Sequence, residues 1–447
     1  MALTISQKAG WGLADMGIVV FVIIKQLLIL SFLTNYLGVP ISVAGLVTSS
    51  VLIFDIFTDP IVGWLSDRTN TRWGRRAPWI VIGGLVMVLG IIGIFAAPSE
   101  INPNSAAVWV GLFFMVATVG FTMVAIPYGA TAGEMTTSPT ERSTMTAWRM
   151  GFASVGILIG GALIPILAGD SREGFFNAAL IVSPLILGAI WISVFVTRHA
   201  PRIHKPSLLN PFDMLGLVLK NKSFVVLTVI YGVMTLAVAL ITAGLPFAAL
   251  YLILDDSNTL LSGVASALGI MATMFAAFVI GSILSQAMWV WISRVLGKVI
   301  ALTLGLTFYV FLLYVLYLIL PSVNVTAIAG MFVLAGMANG SYQQIPWAMY
   351  PDLMDVTRTQ SGEAIEGAFS GLWLFGQKIA NAFAPLLLSA FLAAYGWQET
   401  TEGRITQFPE AVDALHKAIT LVPAAILVIA IFSLVLIYKP MVDKVLR

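Results

Sequence analysis

Apolar runs of twenty residues or more recur along the chain, separated by short polar stretches. An α-helix needs about 20 residues to cross the hydrocarbon core of a bilayer. Twelve runs meet that length, at roughly 10–36, 41–66, 78–97, 106–133, 144–168, 174–197, 224–253, 262–286, 297–320, 324–350, 363–395 and 414–438. Several exceed the minimum, which permits tilt or kinks. The short alternating segments of a transmembrane β-barrel are missing. The pattern therefore predicts an all-α polytopic membrane protein.

Composition strengthens this reading. Hydrophobic residues make up 59% of the 447 and charged residues 10%, against roughly 25% charged in soluble domains. The chain has no cysteine, which excludes disulfides and thiolate metal sites. His199, His204 and His416 fall in or near loops, so no histidine metal cluster is expected. The opening MALTISQKAGWGLADMG carries no small-residue cleavage site, and the first span is expected to be retained.

Charge placement tests the span count. With the N-terminus in the cytoplasm, 17 of the 23 basic residues fall in cytoplasmic segments, and the opposite loops hold only Arg172 and Arg404. This obeys the positive-inside rule and places both termini in the cytoplasm. A miscounted span would invert the bias beyond it. The longest internal polar stretch, residues 198–223, contains Pro201, Pro206 and Pro211 and separates six spans from six. The expected organisation is an N-terminal six-helix bundle (1–197), a cytoplasmic central loop (198–223) and a C-terminal six-helix bundle (224–447). A faint repeat fits two halves: RWGRR (72–76) follows the second span and RVLGK (294–298) the eighth, with Gly74 and Gly297 in register. Two bundles facing a central cavity are common among secondary transporters.

Six charges lie inside predicted spans: Asp15, Lys25, Asp55, Asp59, Arg149 and Lys378. Each costs about 2.5–3.5 kcal/mol at a helix centre on insertion scales, so such residues pair, face a cavity, or bind substrate or ion. Asp55 and Asp59 are four apart and share a helix face. Two close carboxylates repel unless a cation or proton sits between them. Thr58 offers an oxygen one turn away, and Pro60 leaves the Ile56 carbonyl without its helical donor. The pair reads as a site for Na⁺, Li⁺ or H⁺; a salt bridge to Lys25, Arg149 or Lys378 is the competing and compatible reading. Lys25, followed by Gln26, is a substrate contact or a partner of the aspartates. Arg149 is a substrate or gate contact, or snorkels to the surface. Lys378 is expected in the cavity, and Asp15 in a structural or gating role. Asp67 and Glu134 can pair with Arg68, Arg72, Arg75 or Arg76 as a cytoplasmic gate, and Asp352, Asp355, Glu363 and Glu366 can do the same in the second half. Tyr342, Trp347 and Trp373 line the cavity or pack between helices.

The stretch DIFTDPIVGWLSDRTNTRWGRRAPW resembles the glycoside–pentoside–hexuronide:cation symporters, the melibiose-permease-like branch of the major facilitator superfamily. GWGLADMG, IPYGATAGEM, PDLMDVTRTQSGEAIEGAFSG and the lysine at 378 also match, so the resemblance covers nearly the whole chain. It implies that Asp55, Thr58 and Asp59 are cation-site positions, completed by the Thr122 hydroxyl, although melibiose permease has asparagine where Thr58 stands. It further implies that Arg149 lies near the sugar and Tyr128 near an aromatic position; the family's tryptophan there reads Gly129. The departures concern the sugar. A Lys-Asp pair and an aspartate that hold sugar hydroxyls in melibiose permease read Ile18, Val19 and Ala125, and a tryptophan of the tenth span reads Gln343. Carboxylates bind hydroxyls by charge-assisted hydrogen bonds, and these side chains do not.

The expected function is cation-coupled symport of a small organic solute, glycoside- or uronide-like by family, through alternating access. The alternative is an anionic or amphipathic substrate such as a sulfonate, carboxylate or lysolipid, suggested by the surplus of Lys25, Arg149 and Lys378. A non-transporting sensor or scaffold is the remote alternative. No catalytic site is expected: there is no HExxH, no GxSxG and no histidine in the middle of a span. The expected setting is a monomer in the bacterial inner membrane, with a coupling ion (Na⁺ or H⁺), no other cofactor and no nucleic-acid partner.

Overall fold

The computed structural model describes residues 3–98, 100–136, 138–169, 171–201, 211–361 and 366–445. Its elements are helical, apart from one isolated bridge between Ile253 and Ser322. Twelve helices are long and apolar enough to span a membrane: Ile5–Tyr36, Ile41–Arg68, Ala77–Phe95, Pro103–Met135, Thr140–Ala168, Arg172–Thr197, Lys222–Tyr251, Ile270–Leu296, Lys298–Ile319, Val325–Thr357, Ala368–Ala394 and Pro409–Lys444. We number them as spans one to twelve. Most begin or end a few residues beyond the apolar run, because polar caps extend the helix. Thr4 and Gln7, for example, form a capping box ahead of span one.

The eighth span is displaced from its expected position. The apolar run predicts 262–286, but the helix occupies Ile270–Leu296. Gly269, at φ +84°, detaches a short helix, Ser262–Leu268, from the span. The helix then continues through Trp289, Trp291 and Arg294 to Gly297, also at positive φ. The stretch read as the central loop contains a further helix, Pro211–Lys220. Residues 202–210 of that stretch, with Arg202, His204 and Lys205, lie outside the described residues, as does Glu363.

The chain divides into two compact units. The first is Met1–Lys205 together with Trp397–Gln407; the second is Pro206–Gly396 with Phe408–Arg447. A contiguous C-terminal bundle thus loses its last connecting loop to the first unit. The reason lies in the backbone. Thr400 and Gly403 donate to the carbonyls of Thr34 and Asn35, and Gly38 donates to Thr400. The loop satisfies carbonyls at the end of span one that have no helical partner.

Within each unit, glycine sets the closest approaches. In the first, a Cβ at Gly120 would lie 2.2 Å from the Met87 nitrogen and one at Gly90 2.4 Å from the Ala117 nitrogen, which brings spans three and four together. In the second, Gly281 and Gly336 do the same for spans eight and ten. Between helices in lipid, dispersion contacts of this kind replace the hydrophobic drive. Two spans of the first unit carry a π turn, Ile24–Leu28 in span one and Ile159–Leu163 in span five. They meet at Gly160, where a Cβ would fall 2.7 Å from that of Ile23.

Gly120→Val is expected to destabilise the protein by about 2 kcal/mol or more through overpacking. Gly151→Ala, where nothing lies within 4 Å, serves as the control. Thermal unfolding in detergent tests the contrast; equal midpoints would refute the packing argument.

Candidate functional site

Span two brings Asp55, Thr58 and Asp59 to one side of a single helical turn, directly before Pro60. The helix continues through the proline. Span four supplies Thr122 opposite them. Its hydroxyl lies 3.1 Å from Asp55 Oδ1, 3.4 Å from Asp59 Oδ1 and 3.3 Å from Thr58 Oγ1. Thr58 donates to the Asp55 carbonyl at 3.0 Å. Asp55 and Thr122 are fully buried and Asp59 half-buried. The four residues expected to form a cation site therefore converge, and two carboxylates and two hydroxyls provide a hard, oxygen-rich set suited to a small cation. Among the described residues no group of three or more His, Cys, Asp or Glu side chains gathers, here or elsewhere.

Span one contributes a fifth member. Lys25 Nζ sits 3.0 Å from Asp55 Oδ2. The ammonium also lies 4.1 Å from the centre of the Phe121 ring and 5.7 Å from that of Phe21. Lys25 belongs to the π turn of span one. An extra residue in a turn shifts the phase of all that follows by about 100°. Of its two readings, the partner of Asp55 is the one seen here. Its neighbour Gln26 is half-buried and makes none of the hydrogen bonds of this cluster.

A second ion pair, buried at its carboxylate and part-exposed at its guanidinium, joins span one to span five. Asp15 Oδ2 and Arg149 Nε are 3.0 Å apart. Span one and span five can approach this closely because residue 12 is glycine; a Cβ there would meet the Arg149 backbone nitrogen at 2.8 Å. Tyr128 lies under the guanidinium, 5.7 Å from ring centre to Cζ, and stacks on Trp11 at 4.8 Å. Trp11 donates to Thr131. The Tyr128 hydroxyl and Asp15 Oδ1 are buried without a hydrogen-bond partner. The surplus positive charge inferred for Lys25 and Arg149 is thus engaged within the first unit.

The expected gate residues also meet, through two of the four arginines. Arg75 binds Glu134 at 2.7 Å, while Asp67 pairs with Arg76 at 2.8 Å. Arg76 reaches Glu134 as well, through Nε at 2.8 Å. Arg76 is therefore the centre of the network, and its alternation with Arg75 around the Gly74 turn (φ +89°) is not readable from composition. The second unit repeats the device. Gly297 has φ +85°, and the next residue, Lys298, binds Asp352 at 2.6 Å and the Ala348 carbonyl at 2.8 Å. Lys298 was a topology charge in the sequence; the RWGRR/RVLGK register was the signal of its partner. Glu141, also unforeseen, accepts from the Leu3 amide and pairs with Lys8; the spacing Ser138–Glu141 of a capping box marks it.

The remaining substrate candidates lie in the second unit. Ser282 donates to Gln343, which is exposed. Trp347 is partly exposed and donates to the Tyr231 hydroxyl at 3.1 Å. Lys378 is half-buried. Trp373 corrects the expectation of a lining residue: it is fully buried, stacked at 4.2 Å on Tyr231 and at 5.1 Å on Tyr350. Tyr342 packs in the same cluster and bonds Thr235 at 2.9 Å.

Twelve spans in two units, with the family match below, define a transporter of the major facilitator superfamily rather than an enzyme. A bacterial homologue of the human lysosomal transporter Spinster shares this fold, with a TM-score of 0.66 at 16% identity over 98% of this chain and 97% of its own. More narrowly, the chain belongs to the MFS/sugar transport protein family, which matches residues 10–439, and to its glycoside–pentoside–hexuronide:cation symporter group. It is 23% identical to the inner membrane symporter YicJ of Escherichia coli (strain K12), over 94% of this chain and 89% of that one. It is 24% identical to the glucuronide carrier protein homolog of the same organism, over 97% and 92%. Like these, it is a multi-pass protein of the bacterial inner membrane.

The Asp15–Arg149 pair, buried at its carboxylate, is expected to show coupling above about 1 kcal/mol in a double-mutant cycle with Asp15→Asn and Arg149→Met, read by thermal unfolding. The exposed Lys417–Asp413 pair should show none that is measurable. Additive effects of Asp15→Asn and Arg149→Met would dissolve the pair.

Proposed function

We propose that the protein is a cation-coupled symporter of a small organic solute, glycoside- or uronide-like, working by alternating access. The observation that carries this reading is the convergence of Asp55, Asp59, Thr58 and Thr122 from two spans. Two carboxylates in lipid demand positive charge, and a site that holds a transported cation in one conformation better than in another links cation and solute by their shared preference. On this reading the Asp15–Arg149–Tyr128 cluster borders the solute. The Arg75–Arg76–Asp67–Glu134 and Lys298–Asp352 networks are cytoplasmic gate contacts, both termini lie in the cytoplasm, and the protein acts as a monomer. Gln26, Gln343, Trp347 and Lys378 remain candidates for solute contact. Neither Na⁺ nor H⁺ is favoured by the oxygens alone.

An anionic or amphipathic non-sugar solute, such as a sulfonate, carboxylate or lysolipid, is the second reading. Ile18, Val19 and Ala125, which supply no carboxylate for sugar hydroxyls, favour it. The engagement of Lys25 by Asp55 and of Arg149 by Asp15 argues the other way. A panel of neutral glycosides, uronides, sulfonates and lysolipids, scored by the rise in unfolding temperature of the purified protein, separates the two. Response to neutral glycosides alone would end the anionic reading.

Asp59→Asn is expected to abolish gradient-driven accumulation of the solute in proteoliposomes while retaining solute exchange. Undiminished accumulation driven by Na⁺ or by a pH gradient would remove Asp59 from the coupling site.

A further inference from the structure

We infer that Lys25 is a tethered substitute for a sodium ion, and that the wild-type cation site does not bind Na⁺ until this side chain is removed. The inference rests on reading Asp55 and Asp59 as the coupling site. It concerns which ion that site accepts.

The ammonium is bound to one of the carboxylates a metal ion would need, through the oxygen that faces away from Thr122. Lys25 Nζ lies 3.0 Å from Asp55 Oδ2, with 7% of the lysine side chain and 2% of the aspartate side chain exposed. The other Asp55 oxygen accepts from Thr122. An ion bridging Asp55 and Asp59 through these atoms would sit close to a fixed positive charge. Two unit charges about 4 Å apart inside a protein repel enough to weaken binding by about a thousandfold. A sodium ion would also have to displace the ammonium from a hydrogen bond that nothing exposed competes for.

The walls favour the ammonium over the metal. Phe121 presents its ring face 4.1 Å from Nζ, with Phe21 at 5.7 Å. A ring face attracts an ammonium through its quadrupole. It offers no oxygen to a hard cation, which needs several. The backbone fixes the arrangement. Lys25 sits in the π turn Ile24–Leu28, which is wedged against the Gly160 turn of span five. That contact limits how far the lysine can withdraw.

The residues that would ligate sodium are all present, and the fit fails on the one additional side chain.

Purified wild-type protein and Lys25→Met are compared by unfolding temperature in NaCl against choline chloride of equal ionic strength, and by equilibrium binding of radioactive sodium. No solute and no gradient are present. The wild type is expected to unfold at the same temperature in both salts and to bind no sodium saturably. Lys25→Met should gain saturable sodium binding and a sodium-dependent rise in unfolding temperature, and Lys25→Met with Asp55→Asn should lose both. Lys25→Gln provides the same comparison if Lys25→Met does not fold. Saturable sodium binding by the wild type, as tight as in the variant, would overturn the inference. So would variants that fold and remain indifferent to sodium. The wild-type sodium binding assay decides the point even if no variant folds. Failure of the proposed symport would appear elsewhere, as absence of solute accumulation under any ion gradient. Sodium binding by the wild type would instead leave the symport reading intact and make it sodium-driven.

Discussion

Lipid cannot solvate charge, so an ionised group inside this protein must meet a counter-charge, a cavity or a bound ion there. The Lys25–Asp55 contact is where that requirement is most confined, and the surrounding structure is organised around it. Thr122 donates to the other oxygen of Asp55, Thr58 satisfies the local carbonyl, and two phenylalanine rings flank the ammonium. The π turn in span one and the close glycine contact with span five hold the lysine in that position. Removing one member of a buried pair typically costs 3–5 kcal/mol, because the other charge is stranded. The cluster is thus both a functional candidate and a condition for folding.

Much of the first unit follows from repeated use of one device, an acidic residue on one span met by a basic residue on another. Asp15 and Arg149 join spans one and five, and Lys25 and Asp55 join spans one and two. Glu134 joins span four to the arginines at the start of span three. Aromatic stacking serves both units. In the first, Phe32, Tyr36, Phe95 and Phe175 pack ring against ring; in the second, Tyr231, Tyr342, Trp347, Tyr350 and Trp373 form a connected set, with hydrogen bonds from Thr235 and Trp347. Ion pairs are specific in partner and register, whereas stacked rings tolerate small displacements.

The span count was legible because lipid imposes a length and a charge bias that a single sequence displays. The aspartate pair was legible because residues four apart must share a helix face. The partners of those residues were harder. Nothing in the local sequence says that Lys25 rather than Lys378 meets Asp55, since that depends on a π turn, which alters helix phase without a proline or glycine to announce it. Arg75 and Arg76 are chemically alike, and only the direction of the chain after Gly74 assigns Asp67 to the second. The start of span eight was misplaced because SGVASAL is apolar enough to belong to it; one glycine in a left-handed conformation separated the two. Trp373 illustrates the opposite limit. An aromatic residue in a span reads the same whether it faces a cavity or its neighbours, and here burial among other rings decides.

The loop Trp397–Gln407 changes how the chain is strung. Because its backbone is paired with Thr34, Asn35 and Gly38, the polypeptide crosses from one compact unit to the other three times, near residues 205, 396 and 407. The first unit is therefore completed by a segment synthesised long after its six spans: without Trp397–Gln407 the Thr34 and Asn35 carbonyls at the end of span one would lose the donors that seal them.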